Sequence, residues 1–202
     1  MVVDCLWGIA AGAILGYCVM LPYGLPLLGV LALAILFAAR NYRPLPWALG
    51  AALLVVLGFA AAGFAWWEAF PVLRDRYWDG IAQRRPATYW LWGNLAAFCF
   101  SAGPMAGVAT AMAVRRLAGG GRAASPYRHE RVVVLLSCAA ILTVGIADFS
   151  LMSKAEVERI WLPFVPWLLV GCALLPDRWQ RTFLAWQVGF AVAVQHLIFT
   201  PW

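Results

Sequence analysis

The sequence has few charged residues and lacks the patterns of a soluble protein or of a membrane barrel. Only 12% of its 202 residues are charged, whereas 64% are hydrophobic and the mean hydropathy is +0.81. In soluble domains the apolar share is nearer one half. The alternation of polar and apolar residues that barrel strands require is also missing. We therefore predict an all-α fold, a polytopic transmembrane helix bundle in which residues 1–202 form a single domain.

Other missing features exclude several classes of site. The five cysteines all lie in or beside apolar segments, so the sequence implies no disulfide framework. The N-terminus contains Asp4 but neither a basic stretch nor a cleavage motif, so we expect the first apolar run to be a retained helix. The glycine run at 119–121 lacks the residues of a P-loop, and the sequence has no metal-ligand cluster and no nucleophile elbow. The net charge of +6 indicates membrane orientation and affinity for anionic lipids, not nucleic-acid binding.

Apolar runs of helix length predict about seven membrane helices, and the twelve tryptophans are typical of residues at membrane interfaces. The predicted helices cover residues 6–20, 27–39, 47–66, 89–114, 132–152, 160–175 and 183–200. A further helix at 70–82 is predicted to lie on the outer surface, and residues 115–131 are predicted to be a cytoplasmic linker. The surface helix is expected because Phe70, Leu73, Tyr77 and Ile81 recur at helical spacing among charged residues.

Glycines four residues apart predict close packing between helices. Gly8, Gly12 and Gly16 form a smooth stripe on which a second helix can pack. Gly103 and Gly107 form a similar pair, and the adjacent Pro104 is expected to kink its helix.

The basic residues predict the orientation in the plasma membrane. Nine of the fifteen lysines and arginines lie on one side of an alternating seven-helix arrangement, five in the linker and four in the two loops at 40–43 and 178–181. The positive-inside rule assigns that side to the cytoplasm. The N-terminus is then cytoplasmic and the C-terminus extracytoplasmic, and mixed charges gather on the outer face.

The stretch 145–164 places several ionisable side chains between two apolar runs. Asp148 ends one run, and the capping-box motif from Ser153 to Glu156 predicts the start of the next helix, with Arg159 one turn after Glu156. Ionisable groups close to hydrocarbon are costly and usually functional. The alternative is an ordinary solvated loop that caps a helix.

These charges suggest a site for a lipid-linked phosphate on the outer face. Arginine offers a planar set of donors that pairs with phosphate oxygens, and carboxylates bind sugar hydroxyls or act as a base. The candidate catalytic residues are Asp148, Glu156 and Glu158, and the candidate substrate- or phosphate-binding residues are Arg84, Arg85, Lys154, Arg159, Asp79 and Asn94. For Arg84 and Arg85 the alternative is interfacial snorkelling before a helix.

Parts of the chain resemble a known class of enzymes. The segments concerned are 77–95, 147–148, 153–164 and the turn at 21–24. They are similar to the C-terminal half of polytopic actinobacterial membrane proteins of the type C glycosyltransferase class. The resemblance implies transfer of a sugar from a polyprenyl-phosphate donor to a cell-envelope acceptor, often with a divalent cation.

The chain departs from this class at one point. The class keeps its catalytic acidic residue in a large first outer loop, whereas the first outer turn here, residues 21–26, contains no acidic residue. The chain therefore either lacks the catalytic half, which a partner chain or a longer product would supply, or it uses Asp79, Asp148 and Glu156 differently.

Two other functions remain open from the sequence. A small transporter or lipid-handling protein would use the polar residues Asn94, Asp148, Gln187, Gln195 and His196, although such residues are sparse at mid-depth. A structural helix bundle that assists a partner would use the glycine stripes for packing.

Overall fold

The structure is a computed structural model that describes residues 2–119 and 128–198. These residues are mainly helical, and no strand occurs within the two ranges, which confirms the all-α prediction. The α-helices are α1 (Val2–Val19), α2 (Leu28–Ala39), α3 (Leu45–Ala61), α4 (Trp66–Asp79), α5 (Ala87–Ala102), α6 (Pro104–Ala118), α7 (Arg128–Phe149), α8 (Val157–Ile160), α9 (Val165–Leu169) and α10 (Asp177–Leu197). Short 3-10 turns lie at Leu25–Leu27, Ile81–Arg84, Leu162–Phe164 and Val170–Leu174.

Fewer segments than predicted are long and apolar enough to cross a membrane. Within the described residues there are three, Val2–Val19, Glu130–Phe149 and Val157–Leu174, or up to five if each of two bent helix pairs is one span. The prediction from sequence was about seven. The difference has a local cause, because α2 is short and α10 contains charged and amide side chains. These apolar helices are compatible with a membrane protein.

One predicted helix is broken, and another ends earlier than predicted. The chain bends by 77° between α3 and α4 and by 106° between α5 and α6. The helix predicted at 47–66 therefore ends at Ala61, and the one predicted at 89–114 is two helices and not one kinked helix. Gly103 separates them with a φ of +77°, a conformation that favours glycine, and Pro104 opens α6.

Other element boundaries also differ from the predictions. The surface helix expected at 70–82 begins earlier, at Trp66, and ends at Asp79 because Gly80 follows. The linker predicted at 115–131 is shorter, because α6 continues to Ala118 and α7 begins at Arg128; residues 120–127 lie outside the described part of the chain. The last helix begins at Asp177 and ends at Leu197.

The first glycine stripe packs as predicted, and the second does not. A Cβ added to Gly8, Gly12 or Gly16 would lie within 2.8 Å of the α3 backbone or of Pro44, so α1 and α3 are in direct backbone contact. Gly107 has no atom within 4 Å of the position a Cβ would take, so it forms no such contact. The predicted pairing of Gly103 with Gly107 is therefore wrong, because Gly103 serves the helix break.

The core lies where α7 meets α2, α5, α6 and the segment Val157–Leu174. Trp161 and Phe164 are fully buried there, and the Trp161 ring meets the Phe98 ring edge to face with centroids 5.5 Å apart. Pro163 and Pro166 interrupt this segment as expected, so 3-10 turns alternate with short α-helices. This packing places the end of α7 and the loop after it beside α4 and α5.

Candidate functional site

The corner loop, residues 150–156, connects the end of α7 to the start of α8. Leu151 and Ala155 within it have φ values of 57° and 60°. Residues with a Cβ rarely adopt this left-handed conformation, which costs about 1 kcal/mol or more for each. Such a conformation persists only where neighbouring contacts maintain it. Four side chains from distant parts of the chain bind the main chain of the loop, namely Tyr23, Tyr77, Arg85 and Asn94.

Two tyrosines bind the middle of the corner loop. The Tyr23 hydroxyl donates to the carbonyl of Met152, and the main-chain N–H of Lys154 donates to the Tyr77 hydroxyl oxygen at 2.9 Å. Burial raises the pKa of Tyr23 well above its usual value of 10.0, and the nearby Tyr77 and Glu156 raise it further. Tyr23 therefore remains a neutral hydrogen-bond donor at physiological pH.

A buried amide joins the loop to α5 and α7. Asn94 is fully buried, and its Nδ2 donates to Oδ1 of Asp148 at 3.0 Å. Its Oδ1 accepts from the main-chain N–H of Ala155 at 3.1 Å. Asp148 is only 4% exposed. The carboxylate of Asp148 therefore faces the interior, and Asn94 holds both it and the loop in place.

Lys154 and Arg85 bind each other's main chain. Lys154 is 3% exposed, and its Nζ donates to the carbonyls of Arg85 at 2.9 Å and of Ala82 at 3.4 Å. In return, Nη1 of Arg85 donates to the carbonyl of Lys154. The ammonium also lies 4.4 Å from the ring centroid of Trp78, and the Arg85 guanidinium lies 5.5 Å from that of Trp90. Carbonyl dipoles and aromatic faces thus stabilise two cations that form no ion pair within the described residues.

Two acidic residues, one at the end of the loop and one in α8, are more accessible than Asp148. Glu156 precedes α8, and its Oε2 lies 3.7 Å from Nη2 of Arg159, which is mostly exposed. Glu158 has one buried carboxylate oxygen, Oε2, without a hydrogen-bond partner in the described part of the chain.

The predicted capping box does not form. The Ser153 hydroxyl oxygen accepts a hydrogen bond from Nε1 of Trp161 at 3.1 Å, and neither it nor Glu156 caps the helix with its side chain. The buried indole N–H needs an acceptor, and Ser153 provides it.

The structure therefore brings some of the predicted site residues together and leaves others apart. Asn94, Asp148, Lys154 and Arg85 surround the corner loop through the contacts described above. Arg159 pairs with Glu156. Asp79 and Arg84 are exposed, and of the four predicted basic residues the structure joins Arg85 to Lys154.

An apolar groove of about 510 Å³ runs beside the corner loop, between α4 and the turns that precede α2 and α4. Its lining consists of Leu21, Tyr23, Phe64, Trp66, Ala69, Phe70, Val72, Leu73 and Arg76. Tyr23 belongs both to the groove and to the hydrogen bonds of the corner loop. Tyr23 thus connects the groove to the corner loop.

Sequence reasoning missed Arg76 and the groove wall. The helical spacing of Phe70, Leu73 and Tyr77 indicated an apolar face on this helix, and Arg76 lies within the same turn. The second wall of the groove comes from residues 21–23, far away in the chain, and no local signal links the two segments.

The divalent cation that the resemblance implies does not fit the residues present. Within the described residues, no group of three or more His, Cys, Asp or Glu side chains is arranged to hold a metal ion. Asp148 accepts a hydrogen bond from Asn94, and the Glu156 carboxylate lies 3.7 Å from the Arg159 guanidinium.

The chain matches no protein-family model, no curated protein and no solved structure. A function for it therefore has to follow from its own residues and their geometry.

Proposed function

We propose that this chain is an integral membrane, glycosyltransferase-like protein that binds a polyprenyl-phosphate-linked sugar beside α4. It would transfer the sugar to a cell-envelope acceptor, or help a partner chain to do so. One observation carries the proposal: the apolar groove has an arginine at its edge and shares Tyr23 with the corner loop. An apolar groove accommodates a hydrocarbon chain, and the guanidinium of Arg76 can donate hydrogen bonds to phosphate oxygens.

The groove has the size of a site for part of a lipid chain. Ligand pockets usually enclose about 300–1,000 Å³, and this groove encloses about 510 Å³. It would therefore hold the first isoprene units, and the remaining chain would extend into the bilayer. Arg76 would bind the phosphate, and the exposed Arg84 nearby in the sequence would add positive charge.

The accessible carboxylates would act on the sugar and the acceptor. Glu156 ends the corner loop, whose Met152 carbonyl accepts a hydrogen bond from the groove residue Tyr23. In the transfer, the acceptor oxygen bonds to the anomeric carbon while the bond from that carbon to the phosphate oxygen breaks. The acceptor proton passes to Glu156 or Glu158, and Arg76 stabilises the charge that develops on the departing polyprenyl phosphate.

The buried residues of the corner would position these groups. Asn94, Asp148, Lys154 and Arg85 are engaged with the main chain of the loop or with one another. Their role in this proposal is to keep Leu151 and Ala155 in the left-handed conformation. That conformation sets the orientation of Glu156 at the end of the loop.

Lipid-phosphate binding is testable by photo-crosslinking. The full chain in nanodiscs is incubated with a polyprenyl phosphate that carries a photoreactive group beside the phosphate. Arg76→Gln should reduce labelling by about tenfold, the loss expected for one charge-assisted hydrogen bond. Arg74→Gln is the matched control, because Arg74 is exposed and does not line the groove. Equal labelling of the two variants would contradict the proposal.

Transfer is measured separately, with a radiolabelled sugar donor in membranes that contain the chain. Glu156→Gln and Glu158→Gln should retain crosslinking, and the one that removes the base should lower transfer by about 100-fold or more. The control Asp79→Asn alters an exposed carboxylate and should transfer normally. Full transfer activity in both glutamine variants would exclude Glu156 and Glu158 as the catalytic base.

A second candidate function is a non-catalytic subunit that supports a partner chain. The observation that favours it is that Lys154, Arg85 and Asp148 form hydrogen bonds within the protein. The region of the corner loop would then have a structural role and would not be an open binding site. The partner would then supply the acidic N-terminal half. In that case transfer depends on co-expression of the partner and is insensitive to Glu156→Gln and Glu158→Gln.

Both candidates place the corner on the extracytoplasmic side of the plasma membrane, with a cytoplasmic N-terminus. A single cysteine at the exposed position of Asp79 should then react with a membrane-impermeant maleimide added to intact cells. Labelling that requires disrupted cells would reverse this orientation.

A further inference from the structure

The break between α5 and α6 is closed by a side chain of α10. Nε2 of Gln187 donates to the carbonyl of Ala102 at 2.8 Å, and Oε1 of Gln187 accepts from the main-chain N–H of Met105 at 3.2 Å. These two backbone groups lie at the end of one helix and the start of the next, where helical partners are missing. Gln187 therefore completes the hydrogen bonding of the break.

The fit of Gln187 is close. A Cβ at Gly103 would lie 2.4 Å from Nε2 of Gln187, so only a glycine leaves room for the amide. The positive φ of Gly103 and the 106° bend between α5 and α6 turn the carbonyl and the N–H toward this one side chain.

The rest of α10 is weakly attached. None of its described residues is buried, and α6 is its main neighbour. A ring contact between Phe190 and Phe100, with centroids 6.2 Å apart, adds a contact to α5. Few buried apolar contacts are typical of elements that open locally. Hydrogen bonds from one amide therefore form a large share of the attachment of this helix.

The inner side of α10 covers a second groove. This groove has a volume of about 290 Å³ and is lined by Met105, Leu169, Cys172, Ala173, Leu175, Gln180, Phe183, Leu184 and Gln187. Its lining is mostly apolar and contains a half-buried cysteine, whose Sγ lies 3.6 Å from the carbonyl of Met105. Movement of α10 away from α6 would uncover Cys172.

We propose that Gln187 is a releasable latch and that α10 is a strap that opens and closes the groove over Cys172. With the latch engaged, the strap covers the groove, and Gln187 is hydrogen-bonded to the carbonyl of Ala102 and the N–H of Met105. With the latch released, the strap moves outward as a unit while the core around α7 stays folded. This device lies apart from the α4 groove and does not depend on the proposed function.

The native cysteines make the proposal testable by alkylation kinetics. A variant of the full chain keeps only Cys138 and Cys172, and both rates of reaction with N-ethylmaleimide are followed by mass spectrometry in nanodiscs. Gln187→Leu should raise the rate at Cys172 by about five- to tenfold, because two hydrogen bonds of the size found inside membrane proteins are lost. Cys138 does not line the groove and should keep its rate.

The matched control is Gln195→Leu, which removes an exposed glutamine from the same helix. It should leave both rates unchanged. An unchanged Cys172 rate in Gln187→Leu would overturn the latch. A parallel rise at Cys138 and Cys172 would overturn it as well, because Gln187 would then hold the whole fold and not a separately moving strap.

Discussion

Replacement of Asn94 by leucine should destabilise the corner more than any exposed substitution on α5. Leucine branches at Cγ as asparagine does but is larger, so the change removes the two hydrogen bonds of the fully buried amide and also crowds its site. The main-chain N–H of Ala155 would lose its acceptor, which costs about 1–3 kcal/mol for a buried donor. The Asp148 carboxylate would lose its donor, which adds about 1.5–3 kcal/mol. We expect a total loss of about 3–5 kcal/mol in the free energy of unfolding.

The assay is unfolding in mixed micelles with increasing SDS, followed by tryptophan fluorescence, since Trp161 lies in the adjacent core. Ser101→Ala is the control on the same helix, because its hydroxyl bonds only to carbonyls of α5 and should cost less than about 1 kcal/mol. The double variant Asn94→Leu/Asp148→Leu should be more stable than the sum of the single effects, because it leaves no uncompensated carboxylate. Equal stabilities for Asn94→Leu and Ser101→Ala would refute this account of the corner.

Three further predictions concern other parts of the molecule. Gly12→Ala should destabilise the α1–α3 pair by about 1–3 kcal/mol in the same assay, because the added Cβ would lie 2.1 Å from a backbone oxygen. The control is Gly58→Ala, whose Cβ would meet no other described element within 4 Å and which should be neutral or stabilising. Because the pKa of Tyr23 is raised in the fold, the contribution of Tyr23 to stability should be constant below pH 10.0 and fall above it, since Tyr23 ionises first in the unfolded chain. Tyr23→Phe should therefore lessen the loss of stability above pH 10.0. Lys154→Met should accelerate amide hydrogen exchange in the corner loop, whereas Arg159→Gln breaks only an exposed ion pair and should leave the exchange unchanged.

Local periodicity was sufficient for the parts of the fold that depend on neighbouring residues. The apolar runs predicted an all-α chain, and the spacing of Gly8, Gly12 and Gly16 predicted the face on which α3 packs. It was also sufficient to single out the corner, since Asp148 and Lys154 lie between apolar runs. Their roles stay predictions, because neither local pattern nor fold tests them.

Long-range partners changed what the local signals meant. Ser153 fits a capping box, but the indole of Trp161 needs an acceptor in the core and takes its hydroxyl. Gly103 and Pro104 suggest a kink, but a break of 106° is possible because Gln187 supplies both missing hydrogen bonds. The predicted count of about seven spans stays unconfirmed, because α2 is short, α10 is partly polar and hydropathy alone does not register the bends between α3 and α4 and between α5 and α6.

The sequence by itself determined that this chain is helical and apolar, where its closest helix packing lies, and which loop collects ionisable residues. These properties depend on composition and on spacing within one element. Only the tertiary structure decided which of those charges are satisfied internally and which face a groove. Lys154 and Arg85 look equally available in the sequence, yet each binds the other's main chain, whereas Arg76 lines a groove that α4 forms with residues 21–23. The cost of burying a charge without partners decides such pairings, and those partners come from distant parts of the chain.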